Sequence, residues 1–131
     1  MEFNHFLTSY MPNVNIGSKV HFENMLKESV LAEKCGYATV SIPEHHLINL
    51  LMMPSPLQMA VKIASITKKI NITTGIVVLP IHDMRTYAGE VTTADILTDG
   101  RLILGVGRGA FPWEMERLLS LIHISEPTRR I

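Results

Sequence analysis

Three short polar segments hold the residues best suited to chemistry. Glu44-His45-His46 places a carboxylate beside two imidazoles. That group offers a proton acceptor, a carboxylate to orient it, and potential metal ligands. Adjacent histidines on an extended chain point to opposite sides, and no second ligand cluster is evident, so no metal is expected. Loop histidines bonded to nearby carbonyls are the plainer alternative. Leu79-Pro80-Ile81-His82-Asp83 is the second segment; there Asp83 suits a helix cap, and His82 reads as a capping or packing residue before a catalyst. The third is Gly105-Val106-Gly107-Arg108-Gly109. Its G-x-G-x-G spacing differs from the dinucleotide fingerprint. Its glycines admit a ligand to the backbone, and Arg108 can fork onto a phosphate or carboxylate. A structural loop with a surface arginine fits it too. Thr74-Gly75 lies inside an apolar run, where the missing side chain lets a flat ring, or a bend of the sheet, approach the backbone.

These segments need a scaffold that brings them to one place. Four apolar runs, EFNHFL, YATVSI, NITTGIVVL and RLILGV, start about 30 to 35 residues apart, the length of one strand-helix crossover. The first helix is expected from Ser18 as N-cap, with Phe22, Met25, Leu26 and Val30 inward, a Glu23/Lys27 pair outward, and Gly36 as its stop. Ser55-Pro56-Leu57-Gln58 reads as a capping box opening a second helix, with Ala60, Val61 and Ala64 inward and Lys68-Lys69 at its C-terminal end. Asp83 opens a third, with Met84, Tyr87, Ala88, Val91 and Ala94 inward and Gly100 ending it. Glu90 and Asp95 are assigned to ion pairs with Arg85 or Arg101. The order βαβαβαβ makes the strands parallel and puts the three segments at their C-terminal ends. The runs read as near-continuously apolar, as in strands covered on both faces. An open doubly wound sheet and a (β/α)8 TIM barrel both satisfy this α/β pattern, and the regular spacing favours the barrel. A complete barrel takes roughly 250 residues, so 131 residues hold about half of one.

Composition narrows the class. Formal net charge is zero without a basic run, so the electrostatic footprint of nucleic-acid binding is missing. No apolar stretch reaches the length of a membrane span, and the N-terminus lacks the features of a secretion signal. A lone Cys35 excludes a disulfide framework within the chain and fits a cytoplasmic protein.

Taken in order, GYATVSIPEHH, PSPLQMAVKIASITKKINITTGIVVLPIHDMRTYAGEV and LTDGRLILGVGRGAF resemble the bacterial luciferase-like monooxygenases, from Met1 to about Leu118. The resemblance implies the N-terminal half of a (β/α)8 barrel that uses reduced FMN (FMNH2) and molecular oxygen to oxidise a small organic substrate, an aldehyde or similar. It implies His45 beside the flavin as proton acceptor or hydrogen-bond donor, with His46 and Glu44 shaping the pocket. Gly75 and Ile76 would lie against the isoalloxazine ring, and Arg108, with Gly107, would meet the phosphate. Light-emitting members carry a cysteine just before that arginine; Gly107 stands there instead, which leaves the substrate open. A separate reductase supplying FMNH2 and a homodimeric or heterodimeric parent are implied as well. Coenzyme F420-dependent oxidoreductases of the same fold, and a non-catalytic flavoprotein or fragment, are the alternatives.

Residues 119–131 stand apart from that resemblance. LSLIHISEPTR resembles the translation of a sequencing-library adapter, which divides the chain into a partial barrel over 1–118 and a non-native tail over 119–131. On this reading the chain is an inactive fragment with unpaired sheet edges, expected to dissolve poorly and to bind flavin weakly.

Overall fold

A computed structural model of the chain describes residues 1–48 and 51–125, with side chains through Leu118. Strand β1 (Asn4–Phe6) leads through a short 3-10 turn into helix α1 (Ser18–Lys34), then β2 (Thr39–Ile42), α2 (Pro56–Ala64) and β3 (Asn71–Thr74). The third apolar run breaks after Thr74 and resumes as β4 (Val77–Val78) before α3 (Met84–Leu97). The fourth run also splits, into β5 (Leu102–Ile103) and β6 (Val106–Gly107), and α4 (Pro112–Ser125) follows. The expected tail begins inside α4; the helix continues through residues 119–125, and residues 126–131 lie outside the described part.

All strand pairs are parallel. The main sheet runs β1-β2-β3-β5 and a second ladder joins β4 to β6. With each split run counted as one unit, neighbours in space are neighbours in sequence, whereas a doubly wound sheet reverses its strand order at a switch point. Successive βα units added in one direction build part of a (β/α)8 barrel.

The sheet alternates instead of being apolar throughout. Val40, Ile42 and Ile72 are fully buried with Met25, Ala60 and Ile63 of the covering helices. The opposite face carries small polar groups that bond across strands. Asn4 Nδ2 donates to Ser41 Oγ at 2.6 Å, and the Thr39 and Thr73 hydroxyls lie 3.1 Å apart. Phe6 and Ile103 on that face stay exposed. Cross-strand hydrogen bonds admit the polar side chains to these strands, the buried Ser41 included.

Helix ends show which local signals act. Gly36, at φ +82°, closes α1 in a Schellman motif, with Tyr37 N donating to Ala32 O and Gly36 N to Glu33 O. Asp83 caps α3 by accepting from Arg85 N. α3 ends on two left-handed residues, Asp99 at φ +56° and the expected Gly100 at φ +69°. Gly17, not Ser18, caps α1, and the Ser55 side chain makes no capping bond.

Several expected partners are replaced. Glu23 pairs with Lys19 at 3.9 Å, not Lys27. Asp83 takes Arg85 at 2.6 Å. Arg101 donates to Ala64 O, Ile70 O, Thr98 O and Thr67 Oγ1, tying α2 and α3 to the strand between them. α2 ends at Ala64, so Lys68 and Lys69 lie beyond its dipole; their amides and that of Ile70 converge on Glu33 Oε1 at 2.8, 2.6 and 3.0 Å. Burial opposes ionisation of Glu33, but those amides and the Arg101 charge hold its carboxyl below the usual range. Met84 and Ala88 of α3 face solvent, because the cover that α2 supplies reaches only Tyr87, Val91 and Ala94. No described helix is long and apolar enough to cross a membrane.

Candidate functional site

Glu44 sits just past β2 with its side chain fully buried. One carboxylate oxygen, Oε1, accepts from His46 Nε2 at 2.9 Å and from His82 Nε2 at 2.7 Å. The other, Oε2, accepts from Val78 N at 2.5 Å. His82 stacks on Tyr87 with ring centroids 4.0 Å apart. Burial would push the Glu44 carboxyl upward. The hydrogen bond from His46, the Val78 amide, and the charge and hydrogen bond of His82 together outweigh it, so ionisation is favoured. Burial pushes the Tyr87 phenol strongly up, assisted by the Glu44 and Glu90 carboxylates, which leaves it neutral at ordinary pH.

These ligand atoms, on Glu44, His46 and His82, lie within 4.8 Å of one another, close enough to consider a metal ion. The contacts themselves argue otherwise. Tetrahedral zinc with bonds near 2.05 Å sets its ligands about 3.3 Å apart; here both imidazoles already touch the carboxylate at 2.7 and 2.9 Å. The group is a satisfied hydrogen-bonded cluster in which the carboxylate joins the ends of two βα loops.

His45 turns the other way. Its backbone N donates to Met53 O at 2.9 Å, and its ring lies 5.5 Å from that of Phe111. Nδ1 is buried without a hydrogen-bond partner; Glu114 Oε2, at 3.6 Å, is the nearest opposite charge. Glu114, on the first turn of α4, is itself buried, and its Oε1 accepts from His46 N.

A cavity of about 280 Å³ opens on this side, lined by His45, Gly75, Ile76, Arg108, Phe111 and Glu114 among others. Arg108 is exposed at its rim. Close packing of the glycine loop shapes the wall. A Cβ on Gly105 would stand 2.1 Å from Thr74 O, where the Thr74 hydroxyl donates to Gly105 O and accepts from Gly105 N. A Cβ on Gly107 would meet Ile76 Cδ1 at 2.2 Å, so Gly107 is the space the Ile76 side chain fills. A larger cleft of about 780 Å³ runs between α2 and α3, reached by Glu44 and His82. The smaller cavity is the stronger candidate, because the cation, the unpartnered imidazole and the Gly75 backbone converge there.

The sequence model of the luciferase-like monooxygenases matches residues 1–130. The chain belongs to that family. The oxygenase component of the flavin-dependent trigonelline monooxygenase of Acinetobacter baylyi is 33% identical over 98 residues, covering 75% of this chain and 27% of the relative. An alkanal monooxygenase alpha chain of Photorhabdus luminescens is 31% identical over 111 residues, 85% of this chain and 30% of its own. Among solved structures, the oxygenating constituent of 3,6-diketocamphane monooxygenase from Pseudomonas putida, in complex with FMN, superimposes with a TM-score of 0.83 at 24% identity, covering 90% of this chain and 32% of that one. The coenzyme F420-dependent tetrahydromethanopterin reductase of Methanopyrus kandleri gives 0.66 at 20% identity, over 93% of this chain and 30% of that one. The chain thus spans about a third of the length of the relatives it matches.

Of the residues expected in a luciferase-like site, His45, Gly75, Ile76 and Arg108 meet at the smaller cavity. Gly107 supports its wall from behind. Glu44 reaches the cavity's edge, while His46 belongs to the cluster on the far side. Sequence reasoning undervalued His82 and missed Glu114. A start signal for Glu114's helix was present: Pro112 at the first helical position, then an acid in the first turn.

Proposed function

We propose that this chain supplies one wall of the flavin site of a luciferase-like monooxygenase acting on a small organic substrate with reduced FMN and oxygen. One observation carries the reading. The His45 ring, an exposed arginine and the side-chain-free Gly75 line the same cavity. The residues fit the cofactor: Gly75 and Ile76 offer a flat contact for a ring, and Arg108 a fork for a phosphate. FMNH2, when bound, supplies the electrons and activates oxygen. His45 holds or accepts a proton at its cavity-facing nitrogen, Ile76 and Phe111 exclude water, and Glu44 with His46 and His82 keeps the loops in place.

The flavin-dependent relative supports flavin use, and its description as an oxygenase component supports a separate reductase as partner. A dimeric parent located in the cytoplasm completes the reading. The Glu44-His45-His46 block favours FMN; coenzyme F420 is the second reading, since F420-dependent enzymes share the fold. The 131-residue chain alone is expected to show no turnover, because Phe6 and Ile103 remain exposed on the sheet face that an enclosed site requires covered. Fluorescence titration with FMN and with F420 tests the proposal. Saturable FMN binding weaker than about 10 μM, and weaker still for F420, supports it. Preference for F420 transfers the reading to the second class, and no saturable binding of either overturns it.

A further inference from the structure

Glu114 lies within reach of the His45 ring nitrogen that the hydrogen-bond network leaves unpaired. Its side chain is 7% exposed and that of His45 is 19% exposed, and they come from α4 and the β2 loop, almost seventy positions apart in the chain. We propose that Glu114 is the positioning residue for His45: its carboxylate accepts a hydrogen bond from Nδ1–H, fixes the ring as the Nδ1–H tautomer, and leaves the Nε2 lone pair for the cavity.

Three observations converge on this assignment. Nδ1 is buried with no hydrogen-bond partner, and an orphaned polar atom needs an explanation. Oε2 of Glu114 stands 3.6 Å away, so a shift of under one ångström makes the bond, and such bonds are often long before a ligand binds. Oε1 of the same carboxylate is tied to the His46 amide, so the strand-end loop itself holds Glu114 in position. No other carboxylate among the described residues is paired with His45; Glu44 is committed to His46, His82 and Val78. A neutral imidazole carries one proton, so donating it at Nδ1 makes Nε2 the acceptor. The carboxylate also stabilises the imidazolium formed when Nε2 takes a proton. Glu114 lines the cavity too, and the α4 turn and the His45 loop are therefore set by one side chain.

The inference rests on the flavin-site reading for its purpose, though its geometry does not. Nitrogen-15 NMR of ring-labelled histidine, at a pH where His45 is neutral, reads the tautomer directly. The wild-type chain should show His45 protonated at Nδ1. Glu114→Gln keeps an acceptor and should retain that tautomer; Glu114→Leu keeps bulk, removes the acceptor, and should lose it while the sheet amides hold their shifts. A wild-type His45 protonated at Nε2 overturns the proposal whether or not the variants fold. So does an Nδ1–H tautomer that survives Glu114→Leu. FMN titrated into the same samples separates the two ideas. A Glu114-dependent tautomer without FMN binding sinks the flavin reading and leaves the pairing standing; FMN binding with a Glu114-independent tautomer does the reverse.

Discussion

His45 and His46 are adjacent in the chain and differ in almost every physical respect. On the His46 side, both oxygens of a buried carboxylate are used and two imidazoles donate to it, with Tyr87 stacked on His82 and only its hydroxyl left without a hydrogen bond. On the His45 side, a buried nitrogen has no hydrogen bond and an arginine stands exposed at a cavity rim. The first arrangement ties two loops together, whereas the second leaves a ring and a cation at a cavity. The extended backbone after β2 makes the division possible, since it sends successive side chains to opposite sides.

The sharpest way to break this comparison is to remove the carboxylate on the satisfied side. Glu44→Leu strands two imidazoles and the Val78 amide, and should cost about 3 kcal/mol or more in urea unfolding. His45→Gln should cost under about 1 kcal/mol in the same assay, because only the long Nδ1 contact to Glu114 is lost, against three hydrogen bonds at Glu44. Equal costs would mean the two sides are not different in kind.

Acid provides a graded version. The folded Glu44 carboxyl is depressed, so its stabilisation is complete above the unfolded value of about 4.3. It fades as pH falls through the lower folded value. The stability advantage of wild type over Glu44→Gln should therefore be constant from pH 7 to about 5 and shrink below about 4. An advantage that grows in acid would reverse the sign of the assignment.

The smallest effect on stability belongs to the open side. Arg108→Ala should leave unfolding unchanged within about 0.5 kcal/mol and weaken FMN about tenfold, or ~1.4 kcal/mol. Unaltered FMN affinity would remove Arg108 from the phosphate site.

How much of this was visible in the residues follows from the range of each interaction. Gly36 and Asp83 act on amides within a few positions, so their caps were legible. The glycine loop and Arg108 were legible as a wall because strand-end loops share one face. Glu44's bond to His82 spans 38 positions, and Glu114's to the His46 amide spans 68. No local period encodes such pairings; they exist only once neighbouring βα units pack. The break of the third run at Gly75 and the alternation of β2 and β3 also escaped notice, since threonine and serine read as strand formers without revealing which face stays polar.

The amide spectrum of isotope-labelled protein titrated with FMN shows which of the two cavities takes the cofactor. The largest shifts should fall on Gly75, Ile76, Arg108 and Gly109, with Thr86, Gly89 and Thr93 of the α2–α3 cleft unmoved. Shifts centred on that cleft, or none at all, would contradict the smaller cavity as the flavin site.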